Sequence, residues 1–170
     1  MSRSHDRSNF SCGVEELDEY LKKNARRHNK ENLNQTKVLV EKGSKDIIGF
    51  FSFAATSVAS KSFETTEGNK LPNYEIPCIR LTRFAVDKQY QNRGLGRYLL
   101  GCALNHALKV SQEIGIYAVI VDAKDDYVKS FYLKNGFYSL LSGLIVYLPL
   151  KEIRESIKRI ETSQQQKRET

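Results

Sequence analysis

A chain of 170 residues with 40% hydrophobic residues and 3 prolines is long enough for one sizeable core and excludes global disorder. The formal charge of +7 favours polyanionic partners or ligands without naming one. The three cysteines (Cys12, Cys78 and Cys102) are odd in number and lack paired zinc spacing, which argues for a reduced cytoplasmic protein and against a disulfide scaffold or metal site. The polar start MSRSHDRSNF has no apolar signal core, and no apolar run reaches the length of a membrane span.

In chain order, residues 1–10 read as an irregular arm. Residues 14–27, VEELDEYLKKNARR, place Val14, Leu17 and Leu21 at helical spacing, with acidic residues early and basic ones late, as the helix dipole favours. TKVLVEKG and IIGFFSFAATSV form a hairpin across a Gly-Ser-Lys-Asp turn. Residues 60–76 read as a surface loop, and IRLTRFAVD as the next strand. The glycine stretch QNRGLGR leads into a helix of about 15 residues. A buried strand IYAVIVDA, a shorter helix DDYVKSFYLKNG and a strand LIVYLPL follow. Residues 1–150 make one α/β domain with a mixed sheet. Residues 151–170 form a tail helix with a frayed end, whose apolar face carries Ile153, Ile157 and Ile160.

Two glycines separated by one residue, flanked by Arg93 and Arg97, suit a backbone nest for an anion at a helix start. A Rossmann fingerprint is excluded because its third glycine position is Leu99; a P-loop is excluded because Arg97-Tyr98 follows Gly96. Taken alone, the loop reads more readily as a strand-to-helix turn with solvated arginines, and only its context turns it toward anion binding.

The order of strand RLTRFAVD, loop Gln91-x-x-Gly94-x-Gly96, strand IYAVIVDA and helix with Phe131-Tyr132-Leu133-Lys134-Asn135-Gly136-Phe137 resembles the acetyl-CoA-binding half of the GNAT N-acetyltransferases. The resemblance implies the acyl-CoA N-acyltransferase fold: a mixed central sheet, helices on both faces and strands splayed at the cofactor cleft. It implies that Gln91, Asn92, Arg93, Gly94, Leu95, Gly96 and Arg97 hold the coenzyme A pyrophosphate, and that the backbone of Phe84, Ala85 and Val86 docks the pantetheine. Tyr132 would serve the departing sulfur as general acid or hydrogen-bond donor. A tyrosine near pKa 10 gives its proton readily to a thiolate near 8.5 only where its site lowers that value or aligns the pair.

Phe10-Ser11-Cys12-Gly13 followed by Leu17-Asp18-x-Tyr20-Leu21 is similar to the opening of a narrower branch, the acetylating toxins of bacterial toxin–antitoxin pairs. That likeness implies aminoacyl-tRNA as acceptor, a ribbon-helix-helix antitoxin, DNA reached only through the antitoxin, and a homodimer. The branch often carries Ser-Arg-Thr where this chain has Gln35-Thr36-Lys37. Many GNAT enzymes have Asn where it has Asp125, and only nine residues precede Phe10 for a first strand. A protein N-terminus or small amine as acceptor, or a coenzyme-A-binding regulator without turnover, stay open as alternatives.

No general base stands out; an aminoacyl ester scarcely needs one, because its amine is partly neutral at cellular pH. Glu75 or Asp122 could act through water. Lys22, Arg26 and Arg27, in a basic run with Lys23 and Lys30, could follow a tRNA backbone or simply end a solvated helix. Residues three apart on a strand face opposite ways, so only one of Arg80 and Arg83 can look toward the acceptor; Arg83, beside the pantetheine segment, is the choice. His106 reads as a structural helix residue, and His5 and His28 as solvated.

Overall fold

A computed structural model describes residues 4–63, 71–140 and 143–166. Six strands order as β1-β2-β3-β4-β6-β5 in one mixed sheet: β1 (Gln35–Val40), β2 (Ile47–Ala59), β3 (Glu75–Val86), β4 (Ala118–Asp122), β5 (Tyr138–Ser139) and β6 (Ile145–Pro149). β1 runs antiparallel to β2, and β6 antiparallel to both β4 and β5. The helices are α1 (Glu15–Glu19), α2 (Ala25–Lys30), α3 (Leu95–Val110), α4 (Asp126–Leu133) and α5 (Leu150–Gln166). The chain divides into two compact units, residues 1–55 with 80–103 and residues 56–79 with 104–170.

In the first unit, Phe10, Cys12, Tyr20, Leu21, Ala25, Ile47, Phe50 and Ala85 form one buried cluster. Phe50 meets Phe10 edge-on at 5.5 Å and stacks on Tyr20 at 6.2 Å. Each large apolar side chain taken out of water contributes roughly 1.5–3 kcal/mol, so this cluster is a major contribution to the unit's stability. The helix expected over 14–27 is interrupted. Between α1 and α2 lies a π-helical turn, Tyr20–Asn24. It admits one extra residue while keeping Tyr20, Leu21 and Ala25 buried. Ahead of Phe10, among the described residues, the chain makes a single isolated parallel bridge between Asp6 and Asp46, with the Asp6 N–H on the Lys45 carbonyl at 2.8 Å. The described part of the N-terminal arm is thus irregular, as expected, yet docked from Asp6 onward with Phe10 buried.

The second unit buries Phe63, Ile76, Cys78, Ala118, Ile120, Leu140 and Tyr147 together. Phe63 packs edge-on against Tyr147 at 5.0 Å and Tyr117 at 5.4 Å. Leu150 and Ile153 of α5 are buried and Ile157 is half-buried, so the tail helix begins as part of this unit's own packing; the side chain of Ile160 lies outside the described residues. β3 starts at Glu75, inside the segment expected to be loop. Its opening alternates exposed and buried positions through Glu75, Ile76, Pro77 and Cys78, as a strand with one wet face does. Residues 64–70 of that expected loop are not described.

Candidate active site

The glycine loop follows a 3₁₀ turn at Lys88–Tyr90 that Asp87 caps, its Oδ1 accepting from the Gln89 N–H at 2.9 Å. Asn92 and Gly94 then both take left-handed conformations, at φ 58° and 79°. A Cβ at Gly94 would meet nothing within 4 Å, so glycine is required there by conformation and the space above the loop is open. The Tyr98 N–H closes the first helical bond on the Gly94 carbonyl, which leaves the N–H groups of Leu95, Gly96 and Arg97 ahead of the α3 ladder. No acidic residue lies in the first turn of α3 to neutralise its positive end. Arg93 and Arg97 are exposed, with no hydrogen bond or ion pair to any described residue. An open backbone nest, an unneutralised helix start and two unengaged guanidinium groups fit a diphosphate.

Gln91 is used differently. Its side-chain Nε2 donates to the carbonyls of Cys12 and Val86, both at 2.9 Å. Its amide donors are thus spent on the protein, and its part in anion binding falls to the main chain. Of the expected pantetheine segment, Ala85 and Val86 are buried, Phe84 is half-buried, and all three lie in the last turn-ward stretch of β3.

Arg83 lies in the same unit and is half-buried. Its guanidinium carbon sits 4.9 Å from the centre of the Tyr20 ring, within cation–π range. Nη1 donates to the Thr82 carbonyl at 2.8 Å, while Nε is buried without a hydrogen-bond partner. No described carboxylate pairs with it. The other buried side-chain atom without a partner, among the described residues, is Nδ1 of His28, whose ring meets Tyr20 edge-on at 5.6 Å. This corrects the reading of His28 as solvated. The Tyr20 hydroxyl is hydrogen-bonded with Thr36 Oγ1 at 3.2 Å, and Thr36 with Ser52 Oγ at 2.8 Å. Thr82 Oγ1 donates to Asn34 Oδ1 at 2.8 Å. Of the basic run, Arg26 and Arg27 are exposed and Lys22 is half-buried; Arg27 reaches Asn24 Oδ1 at 3.3 Å, and Lys23 pairs with Glu19.

The branch signature proves to be a corner. Gly13 takes φ 86°, Asp18 Oδ1 accepts the Cys12 N–H at 2.8 Å, and burial pushes the Cys12 thiol up to about 11, keeping it a neutral packing group. Tyr20 and Asp87 are the two residues whose importance sequence reasoning missed. An Asp between a strand and Lys-Gln-Tyr is a capping signal that could have found the second.

In the second unit, α4 begins at a cap, with Asp125 Oδ1 accepting the Val128 N–H at 2.8 Å. Tyr132 is 3% exposed, its ring 5.2 Å from Phe131 and 5.3 Å from Phe137. Burial raises its phenol well above the ordinary tyrosine range. A lowered value, one of the two conditions for easy proton release, is therefore not met. The group is held as a neutral hydrogen-bond donor.

The family model of the acetyltransferase (GNAT) domain matches residues 34–139, and the chain belongs to that family: it is a GNAT acetyltransferase. A tRNA-acetylating toxin of Mycobacterium tuberculosis is 32% identical over 158 residues, covering 92% of this chain and 93% of that one. A crystal structure of the KacTA–DNA complex shares 26% identity at a TM-score of 0.77, covering 94% of both chains. For the fold alone, AtaT complexed with acetyl-methionyl-tRNAfMet superposes with a TM-score of 0.85 at 22% identity, over 92% of this chain and 94% of that one. Among the described residues no group of three or more His, Cys, Asp or Glu could hold a metal ion, and no helix is long and apolar enough to cross a membrane.

Proposed function

We propose that the protein is a toxin that moves the acetyl group of acetyl-CoA onto the α-amino group of aminoacyl-tRNA. The observation that carries the donor half is the anion-ready loop Gln91–Arg97 at the unneutralised start of α3. The acceptor half rests on the toxin that matches nearly end to end, and on a half-buried Arg83 that has no carboxylate of its own.

The chemistry needs little from the protein beyond placement. The neutral amine of the aminoacyl ester attacks the thioester carbonyl, forming the C–N bond as the C–S bond breaks. The amine's proton leaves to water. Tyr132, protonated throughout the physiological range, hydrogen-bonds the leaving sulfur and supplies its proton, which solvent later restores. Transfer from a tyrosine above 10 to a free thiolate near 8.5 is uphill, so the hydrogen bond formed as charge develops is the larger contribution. The loop and the backbone of Phe84, Ala85 and Val86 hold the coenzyme, while Arg83 with Lys22, Arg26 and Arg27 meets the phosphates of the tRNA acceptor end. An antitoxin with a ribbon-helix-helix DNA-binding part neutralises the enzyme and links it to DNA; the protein acts in the cytoplasm as a homodimer.

The test is incubation with labelled acetyl-CoA and the full set of charged tRNAs. Label on the aminoacyl end of one or more isoacceptors is expected. Label on none of them, with label on protein N-termini or small amines instead, would overturn the acceptor assignment.

A further inference from the structure

The corner at Phe10–Gly13 is tied to the cofactor loop from one side and to the first helix from the other. The Ser11 N–H donates to Asp87 Oδ2 at 2.9 Å, the Lys88 N–H to the Ser11 carbonyl at 2.8 Å, and Gln91 Nε2 to the Cys12 carbonyl at 2.9 Å. Asp87 is buried, with one carboxylate oxygen on Ser11 and the other on Gln89, so it spans the corner and the turn that feeds the loop. The second donor of Gln91 fixes the end of β3 through Val86. On the far side, Cys12 is held by Asp18 and Phe10 is sunk in the core.

A loop of this shape does not hold itself. Asn92 occupies a left-handed conformation that costs a non-glycine residue free energy, and Gly94 has wide conformational freedom to lose. The contacts that pin it come from residues nearly eighty positions earlier. We infer that Gln91 and Asp87 are positioning residues that hold loop 91–97 in its diphosphate-binding shape against the Ser11–Cys12 corner, making that corner a working part of the coenzyme site. This rests on the reading of the loop as the acetyl-CoA diphosphate cradle.

The experiment compares wild type with Gln91→Met, which keeps length and removes both donors. CoA affinity is read by calorimetry. Acetyl transfer to charged tRNA is read with acetyl-CoA and, separately, with S-acetyl-N-acetylcysteamine, a thioester that lacks the diphosphate. Loss of two ordinary hydrogen bonds weakens CoA binding and raises the acetyl-CoA KM about tenfold, with kcat nearly unchanged. Turnover of the truncated thioester falls far less than that of acetyl-CoA, a split that a generally damaged fold would not give. Asp87→Asn, which replaces one acceptor by a donor facing an N–H, shows the same split and serves if Gln91→Met does not fold. Unchanged CoA affinity in the variant, or equal loss with both thioesters, overturns the inference. A wild-type chain that binds no CoA removes the donor reading beneath it instead.

Discussion

The guanidinium of Arg83 lies over the ring of Tyr20 at 4.9 Å with Nε sealed from solvent and unbonded. A buried donor left unmade is a cost to the folded state, and a half-buried cation without a carboxylate adds to it. Such an arrangement persists where it serves a ligand. Arg83→Met should therefore leave the melting temperature unchanged or raised, while the KM for charged tRNA rises about tenfold, as for a lost charge-assisted contact. The KM for acetyl-CoA should stay put. A fall in melting temperature with an unchanged tRNA KM would make Arg83 a structural residue only.

Tyr132→Phe removes one oxygen and should lower kcat while sparing CoA affinity; unchanged turnover would take the hydroxyl out of the chemistry. The same variant tests the raised phenol value. Between the unfolded value near 10 and the higher folded one, the unfolded chain binds fewer protons than the folded chain, so Tyr132 makes stability fall as pH rises through that range. Melting curves from about pH 8 to about pH 11 should show wild type losing ground to the Phe variant only at the alkaline end. Parallel curves would contradict the burial argument.

At the start of α4, Asp125→Asn should be nearly neutral, since Asp and Asn cap equally well, whereas Asp125→Ala should cost about 1 kcal/mol. Equal losses in chemical denaturation for the two variants would mean that the carboxylate charge, and not the cap, matters here.

Two glycines of the loop–helix region should respond in opposite directions. Gly94→Ala forces a side chain into φ 79° and should cost about 1–2 kcal/mol, along with CoA affinity. Gly101→Ala lies within α3, where the new Cβ meets nothing within 4 Å, and should stabilise by roughly 0.5–1 kcal/mol. Urea unfolding of both variants checks the pair.

Elements with a full period of hydrophobic pattern were legible in the sequence: the hairpin, the helix after the loop and the tyrosine helix all stand where their spacing puts them. β5 was not, because two residues carry no period. The start of β3 was masked by Pro77 beside a polar stretch, although its alternation was present. The glycine loop stood out because its glycines and arginines are contiguous. The brace by Gln91 did not, since its partner carbonyl is 79 positions away and belongs to the backbone, which every sequence shares. Arg83 was singled out from the strand alternation, but its seat on Tyr20 joins a strand to a helix through side-chain geometry that no local pattern encodes. Of the two conditions for easy proton release by Tyr132, a lowered value or good alignment, the first is not met, for a simple reason. Phe131 and Phe137 pack against the ring, and burial of the phenol raises its value.

The π-helical turn at Tyr20–Asn24 works as a phase shifter. A helix advances about 100° per residue, so winding this turn as a regular α-helix without removing a residue would swing everything after it by about that angle. Ala25 would leave the core, and Arg26 and Arg27 would face another direction. Whether this one turn is wound as π or as α thus sets the direction of a whole charged face, while the buried side chains before it stay where they are.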